Sequence, residues 1–324
     1  MSTFLHPGTQ THQIELAAPS ISALHASSTG IDFVHEIASC IDGPEVLITA
    51  LVHGNEYSGA LALKEFLDAG VRPRCGRITA IFCNVAAFSR FDESKPDSSR
   101  YVDEDFNRVW DVDRLNEPAS SSELDRARVL RPFVERSSYL LDLHSMHEPC
   151  GALLVTGLLQ RNIDFAQALN TGAQAIVDAG HEDGVRMRDF GKFGQQDQPG
   201  IALLLEAGQH WARASLEMAR NTLIRFLLAS RVIEKNDVPQ GWLLPDFPSP
   251  PPIFVTHRVV AKSMDFRFID DYHGGEVIKI AGTIIATDAG HPVCVPYDDC
   301  ILVMPSVRQL RPGVTTVRFG HLIN

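Results

Sequence analysis

Apolar and polar positions alternate along the chain in two different regimes. Up to about residue 244, short runs that are apolar at nearly every position recur between stretches of helical periodicity. The runs 45–51 (EVLITAL), 78–84 (ITAIFCN), 139–143 (YLLDL), 152–156 (ALLVT) and 201–205 (IALLL) have the length and branching of strands buried on both faces. Between them, 56–67 carries Tyr57, Ala60, Leu61 and Phe66 on one helical face, with Gly70 as its stop, and 164–179 and 211–233 also read as helices. Buried strands alternating with helices predict an α/β sandwich around a mainly parallel sheet.

The second regime begins after 245–252, Pro-Asp-Phe-Pro-Ser-Pro-Pro-Pro, where repeated loss of the amide donor stops both helix and central strand. Beyond it, 253–260, 276–280, 283–287, 301–303 and 315–319 are short and β-branched, separated by Gly274-Gly275, Gly282 and Gly290. This predicts a catalytic-sized α/β unit over 1–244 and a smaller all-β domain over 245–324. The total of 324 residues agrees with two domains at ~150 residues each.

Charge narrows the partners. The 29 Lys and Arg against 40 Asp and Glu leave a net charge of −11, and there is no basic run to meet a phosphate backbone or an anionic membrane. Nucleic acid and membrane are therefore excluded as expected partners, whereas a small anion in one cationic pocket is not. The start, MSTFLHPGTQTHQ, lacks a basic-then-apolar signal, and no window nears the ~20 apolar residues of a membrane span. A cytoplasmic protein is expected, with homo-oligomerisation left open. Cys40, Cys75, Cys83, Cys150, Cys294 and Cys300 form no CxxC pair and read as reduced thiols.

The chemistry concentrates at strand ends. A His-x-x-Glu pair occurs three times, as His12/Glu15, His53/Glu56 and His273/Glu276. His12 lies in a polar leader and His273-Gly-Gly-Glu276 reads as a turn. His53/Glu56 instead follows an apolar strand and opens a helix, with Gly54 between them to permit a sharp turn. Ligands of an open α/β sheet gather outside the carboxyl ends of its strands. The run 139–143 delivers His144 to the same edge, with His147 a weaker competitor further into the loop. Two imidazoles and one carboxylate, with a fourth position for water, form the donor set of a catalytic zinc ion.

Four segments in order, Ala50-Leu-Val-His53-Gly-Asn-Glu56, Arg100-Tyr-Val-Asp-Glu-Asp-Phe-Asn107-Arg108, Asp142-Leu-His144 and Leu205-Glu206-Ala-Gly208, resemble the succinylglutamate desuccinylase/aspartoacylase family, itself related to the zinc carboxypeptidases. The resemblance implies one Zn2+ per chain held by His53, Glu56 and His144. It implies Arg100 polarising the scissile carbonyl, Asn107 and Arg108 clamping a substrate carboxylate, Glu206 as general acid/base, and a tail tyrosine, here Tyr297, at the pocket mouth. Asp103, Glu104 and Asp105 read as a solvated or loop-ordering acidic run, with Asp105 and Asp142 as candidates to orient a zinc histidine. The sequence departs from the aspartoacylases near Gln196, where a further substrate-reading arginine is expected, and Arg186 and Arg188 lie upstream of it. The expected activity is zinc-dependent hydrolysis of the linear amide of an N-acyl amino acid or a similar small carboxylate. A carboxypeptidase-like hydrolase of short peptides and a zinc-binding relic without turnover are the alternatives.

Overall fold

A computed structural model describes residues 11–323. Strands β1 (Val34–Ala38), β2 (Glu45–Ala50), β3 (Arg77–Phe82), β4 (Tyr139–Met146), β5 (Leu153–Val155), β6 (Gln174–Val177) and β7 (Ile201–Gln209) are interleaved with helices. These are α1 (Ser58–Asp68), the short α2 (Val85–Phe88) and α3 (Val112–Asn116), then α4 (Ser122–Arg136), α5 (Gln160–Ala168) and α6 (Arg213–Ala229). After the prolines come β8 (Ile253–Val260), β9 (Arg267–Phe268), β10 (Val277–Ile278), β11 (Ile284–Asp288), β12 (His291–Cys294), β13 (Cys300–Val303) and β14 (Thr315–Leu322).

Eleven strands form one sheet in the order β1-β3-β2-β4-β7-β5-β6-β8-β14-β13-β10. Its centre, β3-β2-β4-β7, is parallel, and it is there that the sequence is apolar at almost every position. Both faces are covered, as parallel strands require. On one side Ile48, Leu141 and Leu203 pack with Leu63 and Phe66 of α1 and Leu223 and Phe226 of α6. On the other, Leu47, Leu140 and Ala202 meet Leu130 and Val134 of α4 together with Phe106 and Trp110. Each such Leu or Ile contributes about 1.5–3 kcal/mol by leaving water. This is the α/β sandwich with a mixed, mainly parallel sheet that the pattern predicts, followed by antiparallel strands in the tail.

The differences have local causes. The helix expected over 164–179 stops at Ala168, because Asn170 (φ 50) and Gly172 (φ 78) turn the chain through the left-handed region. Residues 174–177 then become β6, drawn into the sheet between β5 and β8. Helix α4 goes unread in the sequence because Pro132 sits inside it, yet its start is well specified. Ser121 Oγ accepts from the Leu124 N–H at 3.0 Å, and Glu123 and Asp125 complement the N-terminal dipole.

The proline segment leads the chain back onto the same sheet. β8 pairs in parallel with β6 (Ile176↔Ile253, Val177↔Phe254), and Phe247 N–H donates to Asn170 O at 3.0 Å. The tail has a core of its own around Phe266, Phe268, Ile285, Leu302, Val317 and Phe319. A further cluster, including Met146, Leu204, Ile253 and Ile301, joins it to the α/β part. Strands β9, β11 and β12 form a separate three-stranded sheet.

Gly54 sets the turn that starts the site. A Cβ there would lie 2.5 Å from Ala87 C and from Phe88 N and would also collide with Ser99 O, all of them backbone atoms. Gly54→Ala is expected to cost about 1–3 kcal/mol of stability as overpacking. Chemical denaturation checks this, and an unchanged midpoint would show that the 87–99 segment yields freely.

Candidate active site

The carboxyl end of β2 opens the site. Leu51 follows it with φ 58, an uncommon conformation for a branched residue, held by Asn84 N–H donating to Leu51 O at 2.7 Å. The chain then turns through Val52-His53-Gly54-Asn55 into Glu56, two residues ahead of α1. β4 lies beside β2 and carries His144 within the strand, in direct register with Glu206 on β7 (His144↔Glu206). Strand pairing alone therefore places His144 and Glu206 side by side.

Among the described residues, His53, Glu56 and His144 form the group whose ligand atoms lie within 4.8 Å of one another. Glu56 Oε1 is 2.8 Å from His53 Nδ1, and its Oε2 is 3.0 Å from His144 Nδ1. All three side chains are buried. The far nitrogens face carboxylates as well, His144 Nε2 to Asp142 Oδ2 at 2.8 Å and His53 Nε2 to Asp105 Oδ1 at 3.0 Å. Each imidazole therefore lies between two carboxylates, an excess of negative charge that a ring proton or a cation between the Nδ1 atoms and Glu56 neutralises. The donor set fits a divalent metal, and Asp142 and Asp105 each face the far nitrogen of one of its histidines, where a carboxylate can orient the ring.

The electrostatics agree. Burial would raise the Glu56 carboxyl, but the charges and hydrogen bonds of His53 and His144 outweigh it and hold the group well below the usual carboxylate range. Burial would likewise lower His144, but Asp142 and Glu56 carry it well above the ordinary imidazole value. Glu206 moves the other way. Its burial, reinforced by the charge of Glu56, raises it to about 8, and its Oε2 is buried without a hydrogen-bond partner. One carboxyl is thus held ionised and its neighbour is held protonated.

Arg100 joins Glu56 to His53, with Nη1 donating to Glu56 Oε1 at 2.9 Å and Nη2 lying 2.9 Å from His53 Nε2. Asn107 and Arg108 sit on a short 3-10 turn, Phe106–Arg108, capped by Asp105. Asn107 Oδ1 accepts from Met187 N–H at 3.0 Å, while Arg108 Nε donates to the more exposed Asp183 at 3.1 Å. A cleft of about 220 Å³ brings His53, Glu56, Arg100, Asn107, Arg108, His144 and Glu206 onto one surface.

Tyr297 is not brought to that surface. Its hydroxyl lies 2.6 Å from Thr256 Oγ1, and its ring packs between His257 and His321. Nor are the other His-x-x-Glu pairs assembled as ligands. His12 faces Glu148 at 2.9 Å while Glu15 accepts from the Arg213 N–H, and His273 and Glu276 close a turn. His147 lines the cleft but stands outside the triad, 3.3 Å from Asp97.

The sequence model of the succinylglutamate desuccinylase/aspartoacylase catalytic domain matches residues 42–227. The chain belongs to this family. A probable aspartoacylase of Parasynechococcus marenigrum (strain WH8102) is 31% identical over 116 residues, a match that spans 34% of this chain and 37% of that protein. Succinylglutamate desuccinylase from Vibrio cholerae superposes with a TM-score of 0.66 at 19% identity, over 92% of this chain and 89% of that one. Murine aminoacylase 3 does so with a TM-score of 0.59 at 22% identity, over 88% and 97%. At these identities the structural likeness establishes the shared fold.

Among the arginines of the cleft wall, Arg186 is one of the two that stand upstream of Gln196, whereas Arg318 carries no signal in the sequence. Arg318, on β14 of the tail, reaches the cleft wall with Nε 3.3 Å from Asp178 Oδ2 and Nη2 3.2 Å from His181 Nε2. Arg186 lines the same wall and pairs with Asp189 at 2.5 Å. Arg188 is instead structural, its Nη2 donating to Thr156 O at 2.7 Å and Ala202 O at 3.0 Å. Nothing in the local sequence marks Arg318 beyond a charge inside a β-branched run. The long-range pairing of β14 with β8 carries it there.

Glu206 makes stability depend on pH in a defined direction. Its carboxyl titrates near 8 when folded and near ~4.3 when unfolded, so between those values the folded state binds the extra proton and stability falls as pH rises. In chelator-treated protein, Glu206→Gln is expected to become progressively more stable than the wild type from pH 5 to pH 8, by denaturant titration. A constant difference would contradict the assignment.

Proposed function

We propose that the protein is a zinc-dependent amidohydrolase that removes the acyl group from an N-acyl amino acid or a similar small amide bearing a carboxylate. The observation that carries this reading is the opposed pair of buried carboxyls. Glu56 is ionised between two imidazoles, and Glu206, protonated near neutral pH, lies beside the same His144. A metal centre that only holds structure has no use for the second.

His53, Glu56 and His144 would hold the ion. Zn2+ bound there supplies Lewis acidity and brings a water molecule toward a pKa of about 7. In its ionised form Glu206 takes the proton of the attacking water and, now protonated, passes it to the leaving nitrogen, a transfer suited to a group that titrates near neutrality. Arg100, fixed against Glu56, offers its guanidinium to the charge that develops on the carbonyl oxygen. Arg108 exchanges Asp183 for the substrate carboxylate, and Asn107 holds the backbone of that turn through Met187. The tail supports small substrates over peptides, because Met304, Pro305, Gln309 and Arg318 form one wall of the cleft. We place the division between catalytic unit and tail at 244/245, on the strength of the separate tail core.

Three measurements test this. Purified protein is expected to contain one Zn2+ per chain, lost with His53→Ala, and the hydrolysis of N-acyl amino acids should vanish with a chelator and return with Zn2+. Glu206→Gln should retain the ion while kcat falls about 100- to 10,000-fold. Arg108→Ala should raise KM for carboxylate-bearing substrates roughly 10- to 100-fold, the loss of one charge-assisted hydrogen bond. An unchanged KM removes Arg108 from substrate binding, and retained turnover removes Glu206 from proton transfer.

A further inference from the structure

A second line of polar groups runs behind the His-Glu-His triad, and the proposed reaction does not use it. Ser145 follows His144 on β4. Its backbone N–H donates to Glu56 Oε2 at 3.2 Å, and its hydroxyl lies 2.8 Å from His210 Nδ1. His210 Nε2 is 3.1 Å from His147 Nδ1, and His147 Nε2 is 3.1 Å from Gln309 Nε2. The two imidazoles meet edge to face with centroids 4.5 Å apart. Ser145 and His210 are buried, at 3% and 1% exposure, so these groups depend on one another rather than on solvent.

Donor and acceptor chemistry gives the line a direction. The Gln309 amide nitrogen can only donate, so His147 Nε2 accepts and the ring proton sits on Nδ1. Asp97 Oδ1 lies 3.3 Å from that same Nδ1 without a hydrogen bond of its own, and its negative charge favours a proton there. His210 then accepts at Nε2, carries its own proton on Nδ1 and donates to Ser145 Oγ. Both rings are neutral. Burial lowers His147, and burial together with neighbouring His147 holds His210 well below the ordinary imidazole value.

Gln309 belongs to the tail segment 304–314 between β13 and β14, which forms one wall of the cleft. Next to it, Arg308 bridges to Asp97 at 3.2 Å and to Glu148 at 3.0 Å, fastening the segment to the α/β part. The line of hydrogen bonds therefore begins on the tail and ends at Ser145, whose backbone N–H holds the carboxylate that joins His53 to His144. We propose that His147 and His210 are positioning residues whose one-way hydrogen-bond chain couples the seating of the tail segment to the orientation of Glu56. The functional consequence rests on the metal reading above, whereas the chain itself does not.

The test uses full-length protein, metal-free and zinc-loaded, as wild type and as His210→Phe, His210→Gln and Gln309→Leu. Nitrogen-15 spectra of the imidazoles should show Nδ1–H neutral tautomers for His147 and His210 in the wild type. Zinc affinity, read by chelator competition, should fall about 10-fold in His210→Phe and in Gln309→Leu, the scale seen when an orienting partner of a metal ligand is lost. The double variant His210→Phe with Gln309→Leu should bind zinc no more weakly than the worse single one, because both cut the same chain. His210→Gln, which still donates and accepts, should recover part of the loss. Nε2–H or cationic rings would overturn the proposal. So would additive losses, or unchanged zinc affinity in Gln309→Leu, where a preserved thermal midpoint shows that the fold is intact. If the wild-type chain takes up no divalent ion, the metal reading fails while the tautomer spectra still decide the chain.

Discussion

The Glu56 carboxylate governs this molecule. Stripping a carboxylate of water costs several kcal/mol unless each oxygen is met by positive charge or a donor. Glu56 is 3% exposed and is met by His53, His144, Arg100 and the Ser145 amide. Those partners come from the β2–α1 turn, from β4 and from the segment ahead of the Phe106–Arg108 turn. Elements remote in sequence are thereby held at one point, the carboxyl edge of the parallel strands.

The same burial separates two carboxyls that would otherwise be alike. Glu56 is surrounded by cations and stays ionised, whereas Glu206, with a partnerless oxygen, keeps its proton to about pH 8. Two acids with opposed protonation states beside a metal-fitting donor set are suited to hydrolysis, in which one group holds charge and the other moves a proton. The tail completes the enclosure. Arg308 fastens the 304–314 segment to Asp97 and Glu148, and β14 sends Arg318 into the cleft against Asp178.

Much of this is legible in the sequence where a local rule and the tertiary context agree. The runs around β2, β4 and β7 are apolar throughout because both faces of a parallel strand are buried, so their strand character needs no partner to be recognised. His53-Gly54-Asn55-Glu56 stands out because a ligand pair and a turn-permitting glycine coincide at the end of such a run. Rules fail where the partner decides. The segment 174–177 continues the helical pattern of 164–173 until β5 and β8 flank it, and Pro132 disguises α4 although Ser121 caps it. Tyr297 illustrates the converse, since a hydroxyl suited to a pocket mouth is spent on Thr256.

By itself, the sequence determined the α/β class, the His53, Glu56 and His144 donor set, and the family, because these follow from periodicity and from residues clustered at strand ends. Only the tertiary structure decided that Glu206 stands beside His144, that its proton is retained, that Arg318 and Gln309 of the tail reach the cleft, and that β8 continues the sheet begun before the prolines. Those outcomes depend on strand register and on desolvation, which are set by groups up to hundreds of residues away in the chain and leave no mark on the local pattern of hydrophobic and polar positions.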